Sequence, residues 1–272
     1  MIIKPLTGTI GAELLDVDIS RDLSEQKIAD IRQALLQHKV VFFRDQTLSP
    51  EQHIAFTEKF GAISQTPVYK TLNEYPQIMA VVKEATDRDI IGDTWHTDET
   101  YQPTPPMGSL LYAREVPEVG GDTLFADLYR AYEGLSDKLK EQIDSLKAVH
   151  SNDLLNSATR NATRSTKLRD DIGSMESVHP VVRVHEETGR KLLFVNQPFT
   201  VCFEGMTRAE SLPLLQYLYS QSAKPENTCR FRWKKGSLAF WDNRCTMHYA
   251  INDYPGHRRE MHRITIQGNV PQ

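Results

Sequence analysis

Cysteine is scarce in this chain, and long apolar runs are absent. Cys202, Cys229 and Cys245 are the three cysteines among 272 residues, an odd count with no paired spacing. That argues against a disulfide framework and for a reducing compartment, with each thiol a small buried hydrophobe. No stretch approaches the roughly 18 apolar residues that a membrane-spanning helix needs. The opening Met1-Ile2-Ile3-Lys4-Pro5 has neither the apolar core nor the cleavage site of a secretory signal. A cytoplasmic protein without a membrane partner is therefore expected. A basic excess is missing too, since 32 Lys and Arg against 36 Asp and Glu leave a net charge of −4. Phosphate backbones call for the opposite balance, which argues against nucleic acid as a partner. A small organic anion held by a few arginines stays compatible with that charge.

What is present has the composition of an ordinary globular chain, 39% hydrophobic and 25% charged. No internal repeat is visible, and one domain spanning 1–272 is expected. Ser24 precedes Ile28, Ile31 and Leu35, whose spacing predicts an amphipathic helix. Ser49-Pro50-Glu51-Gln52 predicts a capped helix start carrying Phe56 and Phe60, with Gly61 as its stop. Thr207-Arg208-Ala209-Glu210 is a second capping box, leading into Leu214, Leu215, Leu218 and Tyr219. Val40–Phe43 reads as a buried strand. Val178–Val184 and Lys191–Asn196 flank a turn at Glu186-Glu187-Thr188-Gly189, and Cys229–Trp233, Leu238–Trp241 and Ile264–Gln267 continue the strand pattern. The sum predicts a mainly β barrel or sandwich with helices packed outside. The polar segment 151–176 reads either as a solvated insertion or as a lid.

Of the nine histidines, most read as ordinary surface or core residues, among them His38, His53, His150, His185 and His257. His96 differs because of Trp95-His96-Thr97-Asp98. In extended chain, residues i and i+2 point the same way, about 6–7 Å apart along the backbone. One imidazole and one carboxylate can then grip one cation. Two imidazoles and a carboxylate on one face form the facial triad of non-haem Fe(II) oxygenases. Farther on come Trp241-Asp242-Asn243-Arg244, His248, and Arg258 to Ile266. If that last stretch is a strand, Arg259, Arg263 and Thr265 share one face, and Ile264 and Ile266 the other. Arginines facing a barrel interior need anions to pair with, so this face reads as an anion-binding wall, or alternatively as an exposed edge. His262 points away from it. Trp95 and Trp241 read as core aromatics.

With these residues in view, the chain resembles the taurine dioxygenase/aryloxyalkanoate dioxygenase family of iron- and 2-oxoglutarate-dependent oxygenases. The likeness runs from Gly11-Ala12-Glu13 through Val41-Phe42-Phe43-Arg44-Asp45-Gln46, Phe60-Gly61, Trp95-His96-Thr97-Asp98 and Gly120-Gly121-Asp122-Thr123 to Arg263. The 150-position gap from Asp98 to His248 and the 11-position step to Arg259 belong to it. It implies a double-stranded β-helix, or jelly-roll barrel, with Fe(II) held by His96, Asp98 and His248. It further implies 2-oxoglutarate held by Thr123 and Arg259, O2 as oxidant, and succinate and CO2 as co-products. Arg263 would meet the substrate's anionic head or the C1 carboxylate of 2-oxoglutarate, and a homo-oligomer, dimer or tetramer, is implied by analogy. Val68, Tyr69, Tyr101, Phe194 and Asn196 are candidates for the substrate pocket.

Taurine-specific members carry a His before Pro-Val-Tyr and an Asn near the metal, where this chain has Thr66 and Gly92. Gly205-Met206-Thr207 through Lys235 is more similar to the aryloxypropionate-cleaving branch. The expected substrate is a larger organic anion, aryloxyalkanoate, sulfonate or related carboxylate. Taurine itself, yielding sulfite and an aldehyde, is the alternative. A zinc hydrolase and a non-catalytic metal-binding barrel are the rivals from other classes.

Overall fold

The computed structural model describes residues 1–156, 164–169 and 172–272. Part of the 151–176 segment read as a lid or insertion therefore lies outside the described residues. The rest is mainly β, with sixteen strands and five α-helices among the described residues.

The frame is one large sheet. Its strands run in the order Ile2–Pro5, Ala12–Leu15, Val40–Phe43, Leu238–Asp242, Gly108–Glu115, Arg259–Ile266 and Ile63–Ser64, with Met79–Lys83 also pairing onto Arg259–Ile266. Strand alternation divides its side chains between two cores. Val40, Phe42, Ala239, Trp241 and Met261 face inward and pack with Phe125, Cys229 and Phe231 of a three-stranded sheet. Val41, Phe43, Leu238, Phe240 and Ile266 face outward, beneath Ile31, Ala34, Leu35, Phe56 and Phe60. Val-Val-Phe-Phe is apolar throughout because both of its faces are covered.

The opposing sheet consists of Thr228–Phe231, Thr123–Asp127 and Thr246–Ala250. The two sheets enclose the interior as a jelly roll with its helices outside. The helices start where their caps predict. The Ser24 side chain accepts from Lys27 N–H at the head of Glu25–His38, and Ser49 and Thr207 complete capping boxes ahead of Pro50–Glu58 and Arg208–Ser222. The expected hairpin is present too, with Val182–Val184 antiparallel to Lys191–Leu193.

Arg259–Ile266 lies in the large sheet between Gly108–Glu115 and Met79–Lys83, so the exposed-edge alternative does not hold. Met261 marks its inward face, which it shares with Arg259, Arg263 and Thr265.

Candidate metal centre and adjoining chambers

Two backbone hydrogen bonds bring the histidines together. His96 N–H donates to His248 O at 3.1 Å and His248 N–H to His96 O at 2.8 Å, a β-bridge that sets the residues directly opposite each other. Their ring centroids are 4.1 Å apart. Asp98, two positions on, turns its carboxylate to the same point, with Oδ1 at 3.6 Å from His96 Nε2 and 3.8 Å from His248 Nε2. The potential ligand atoms of these residues all lie within 4.8 Å of one another, and the two Asp98 spacings fall inside the roughly 4.2 Å that separates donors on opposite sides of one ion with bonds of about 2.1 Å.

Neighbouring groups orient His96 and Asp98, whereas His248 Nδ1 is buried without a hydrogen-bond partner. His96 Nδ1 lies 2.7 Å from the Thr94 carbonyl. A carbonyl only accepts, so Nδ1 carries the proton and Nε2 offers its lone pair to the centre. Asp98 N–H donates to Asn243 Oδ1 at 2.9 Å, and Asn243 Nδ2 donates to Asp98 O at 3.1 Å, fixing the backbone that carries the carboxylate. Arg263 Nη1 donates to Asp98 Oδ1 at 2.9 Å and Ser109 Oγ to Oδ2 at 3.2 Å. Burial pushes the Asp98 carboxyl up, but Arg263 and the two imidazoles outweigh it and hold the group well below the usual carboxylate range. Burial, then the charge of His96, pushes the His248 imidazole down to about 3. An ionised carboxylate beside a neutral ring is the donor set that a divalent metal takes.

A second trio, His185, Asp242 and Cys245, also clusters, but its donors are engaged. His185 Nδ1 accepts from the N–H groups of Glu187 and Thr188, while Nε2 faces Asp242 Oδ2 at 3.0 Å. Asp242 also accepts twice from Arg244, and burial raises the Cys245 thiol far above its usual range. This is a buried network that ties strands together.

Two chambers meet at the first trio, sharing Ile91, Gly92, His96 and Arg263. The inner one, about 490 Å³, runs past Phe125, Trp241 and His248 to Thr123 and Arg259. Arg259 is buried, its Nε and Nη2 have no hydrogen-bond partner, and burial lowers its pKa. A guanidinium so placed calls for an anion. Thr123 Oγ1 accepts from Trp233 Nε1 at 2.9 Å, which leaves its own proton to donate. The turn before Thr123 needs glycine, because a Cβ on Gly120 (φ +87°) would sit 2.7 Å from Asp253 Oδ1, the atom that accepts from Gly121 N–H. Trp241, read as a core aromatic, forms chamber wall, its ring 4.8 Å from that of His248.

The outer chamber, about 660 Å³, is lined by Tyr69, Tyr101, Leu155, Arg164 and Phe199 around the metal-side residues. Tyr69 and Tyr101 are therefore at the cavity. Val68, Phe194 and Asn196 are not among its lining residues. Val68 points into a cluster with Met79, Phe194 packs against His150, His179 and Arg183, and Asn196 donates to Thr100 Oγ1 at 3.0 Å. Thr66 donates to Glu99 Oε1 at 2.7 Å. Gly92 (φ +84°) leaves no room for a side chain without crowding, since a Cβ there would lie 3.1 Å from His96 Cε1. Sequence reasoning missed Glu99, Arg164 and Phe199 at this cavity.

Comparisons with known proteins agree with this geometry. The family model "Taurine catabolism dioxygenase TauD, TfdA family" matches residues 2–265. An alpha-ketoglutarate-dependent sulfate ester dioxygenase of Pseudomonas putida is 35% identical, over 99% of this chain and 90% of that protein. A (S)-phenoxypropionate/alpha-ketoglutarate-dioxygenase of Sphingobium herbicidovorans is 34% identical, over 98% and 95%. The crystal structure of a taurine dioxygenase from Burkholderia xenovorans superposes with a TM-score of 0.85 at 37% identity, covering 99% of this chain and 92% of that one. The chain belongs to this family, and it is an Fe(II)- and 2-oxoglutarate-dependent dioxygenase that hydroxylates a C–H bond of a small organic anion.

Proposed function

We propose that His96, Asp98 and His248 hold the iron, that Thr123 and Arg259 hold the distal carboxylate of 2-oxoglutarate, and that the outer chamber takes an organic anion with an apolar or aromatic body. The observation that carries this reading is the pairing of a convergent His-Asp-His set with a buried guanidinium in the adjoining chamber, two of whose nitrogens have no hydrogen-bond partner. Iron, 2-oxoglutarate and O2, when bound, supply the oxidation that turns a substrate C–H into C–OH while succinate and CO2 form.

The chain's own residues bind, orient and exclude water. Thr94 fixes the orientation of His96, and Arg263 and Ser109 that of Asp98, through the hydrogen bonds given above, and such outer contacts tune a metal site strongly. Leu155 and Phe199 give the outer chamber an apolar wall on which a substrate body can lie. A hydroxyl placed on a carbon that bears sulfonate, sulfate-ester oxygen or ether oxygen makes a product that falls apart to an aldehyde or ketone.

Thr66 is engaged with Glu99 and Gly92 has no side chain, so neither supplies the polar contacts of taurine-specific members. The names of two relatives, acting on sulfate esters and phenoxypropionate, support substrates with larger bodies. Succinate formation screened against alkyl sulfates, alkanesulfonates, aryloxyalkanoates and taurine tests this. Best turnover with taurine, at a low-micromolar KM, would overturn it in favour of a taurine dioxygenase proper. A cytoplasmic setting, supported by three free thiols, and a homo-oligomer complete the reading, the latter tested by sedimentation.

A further inference from the structure

Thr123 and Arg259 share a neighbour that does not itself reach the cavity. Trp233 is buried and is not among the lining residues of either chamber. Its indole Nε1 donates to Thr123 Oγ1 at 2.9 Å, and the Arg259 guanidinium carbon lies over its ring, 5.8 Å from the centroid. One side chain thus meets both residues from behind.

The indole decides what Thr123 can do. An indole nitrogen only donates, whereas a hydroxyl accepts and also donates one proton that rotates to suit. With Trp233 occupying a lone pair, the Thr123 proton turns away from it and the hydroxyl serves the chamber as a donor. Arg259 has donors only. This end of the chamber is therefore built of donors, the polarity that an ionised carboxylate completes.

Several contacts hold Trp233 in place. It lies two positions past Phe231, which stands opposite Thr123 in the register of their strands, and its ring meets that of Phe231 edge-on at 4.8 Å. Arg44 Nη1 donates to Arg232 O at 2.7 Å and to Ser237 Oγ at 3.1 Å, so it grips the backbone just before Trp233 and the turn just after. The Arg44 guanidinium carbon also sits 3.9 Å from the Phe231 ring centroid, and its Nε pairs with Glu13 Oε1 at 2.8 Å. The turn closes through Ser237 N–H to Lys234 O at 2.9 Å. Within it Gly236 (φ +80°) comes so near Gln46 that a Cβ would lie 2.6 Å from the Gln46 carbonyl oxygen. Glu13, Arg44 and Gln46 belong to the two N-terminal motifs to which the metal centre gives no task.

We infer, on the reading that Thr123 and Arg259 hold 2-oxoglutarate, that Trp233 is the positioning residue of that clamp, making Thr123 a donor and backing the Arg259 guanidinium. Glu13 and Arg44 support it from farther out by fixing the backbone that carries Trp233. Among the described residues Trp233 makes no hydrogen bond or ring contact with His96, Asp98 or His248, so its effect falls on the cosubstrate and not on the metal.

The test is a double-mutant cycle read by calorimetry. Mn(II)-loaded protein is titrated with N-oxalylglycine, whose two carboxylates match those of 2-oxoglutarate and which does not turn over. Thr123→Val should weaken binding by about tenfold or more. Trp233→Phe keeps an aromatic face toward Arg259 but has no N–H, and should weaken it about fivefold. In the Thr123→Val background the same change should cost less than about twofold, and in the Thr123→Ser background about fivefold again. Mn(II) affinity should stay within about twofold of native throughout. Arg44→Met, remote from the chamber, should weaken N-oxalylglycine about threefold, which keeps a test should Trp233→Phe not fold. A fivefold loss that persists in Thr123→Val makes Trp233 a structural residue only and overturns the inference, and unchanged binding in Arg44→Met refutes the outer support. If Thr123→Val weakens binding while Trp233→Phe does not, the clamp stands and the role of Trp233 is refuted. If Thr123→Val binds like the native protein, the clamp reading fails and the role of Trp233 falls with it.

Discussion

Replacing Arg259 with methionine sets folding against function in one residue. The side chain is buried, and its Nε and Nη2 meet no acceptor. Each unpaired donor costs about 1–3 kcal/mol, and burial already disfavours the charged form. Methionine keeps an unbranched apolar stem against Trp233, whose ring centroid is 5.8 Å from the Arg259 guanidinium carbon. The lost cation–π contact is worth about 0.5–2 kcal/mol. The ligand-free variant should therefore gain roughly 1–3 kcal/mol of stability, and its Tm should rise by about 2–8 °C.

Binding moves the other way. A guanidinium fork on a carboxylate makes two charge-assisted hydrogen bonds worth roughly 1.5–3 kcal/mol each. Their loss should weaken 2-oxoglutarate by a factor on the order of 10² to 10⁴. A melting curve with and without 2-oxoglutarate, under nitrogen with Fe(II), reads both effects. At a hundredfold excess over Kd the native protein should gain about 2.7 kcal/mol from the cosubstrate, while the variant should gain almost nothing at the same concentration. A ligand-free variant that melts below the native protein, or a 2-oxoglutarate affinity changed by less than about tenfold, would refute the reasoning.

Two further perturbations probe the metal centre and the outer core. Asp98→Ala or His96→Ala should abolish succinate formation while the far-ultraviolet circular dichroism stays native, and a chelator should silence the native enzyme until Fe(II) is returned. Near-normal turnover in either variant would show that the ligands lie elsewhere. Asp98→Ala should also cost about 3–5 kcal/mol of stability, since it strips a buried arginine of its closest carboxylate. His53 is held neutral, with burial and then the charges of His262 and Arg114 pushing it down to about 3. Its folded pKa lies below the unfolded value of about 6.5, so its contribution is intact above that pH. It is lost as the pH falls toward 3, by about 1.4 kcal/mol per pH unit. His53→Leu should therefore lose about 2 kcal/mol less stability than the native protein between pH 8 and pH 5, as read by urea unfolding. Parallel losses would assign the acid sensitivity to other groups.

Local rules carried a good part of this structure from sequence. Ser24, Ser49 and Thr207 announced their helices because a cap is decided within four residues. His96 and Asp98 could be set on one face because strand parity is fixed by the backbone, and the same parity put Arg259 and Arg263 together. Gly108–Glu115 was not legible. It begins with glycine and ends in Arg114-Glu115, its two faces are both covered, and its pairing with Arg259–Ile266 shifts register near Glu260. Period-2 alternation has no hydrophobic contrast to show in such a strand.

The outer chamber escaped for another reason. Adjacent residues of an extended segment face opposite ways, so Val68 and Tyr69 could not both line one cavity, and the structure turns Tyr69 to it. Arg164 sits in a stretch whose composition reads as solvated surface, and only the hydrogen bonds of its neighbours Ser165, Thr166 and Lys167 with Asp87, Val82 and Lys70 bring it inward. Contacts of that range have no period. What the sequence does carry is a physical oddity, two arginines on the inward face of a central strand. Buried guanidiniums are too costly to keep for packing alone. Arg263 is met by Asp98 and Glu99, whereas Arg259 meets no carboxylate of its own chain within ion-pair distance among the described residues. Its missing partner has to come from outside the polypeptide, and that requirement makes the strand a binding wall.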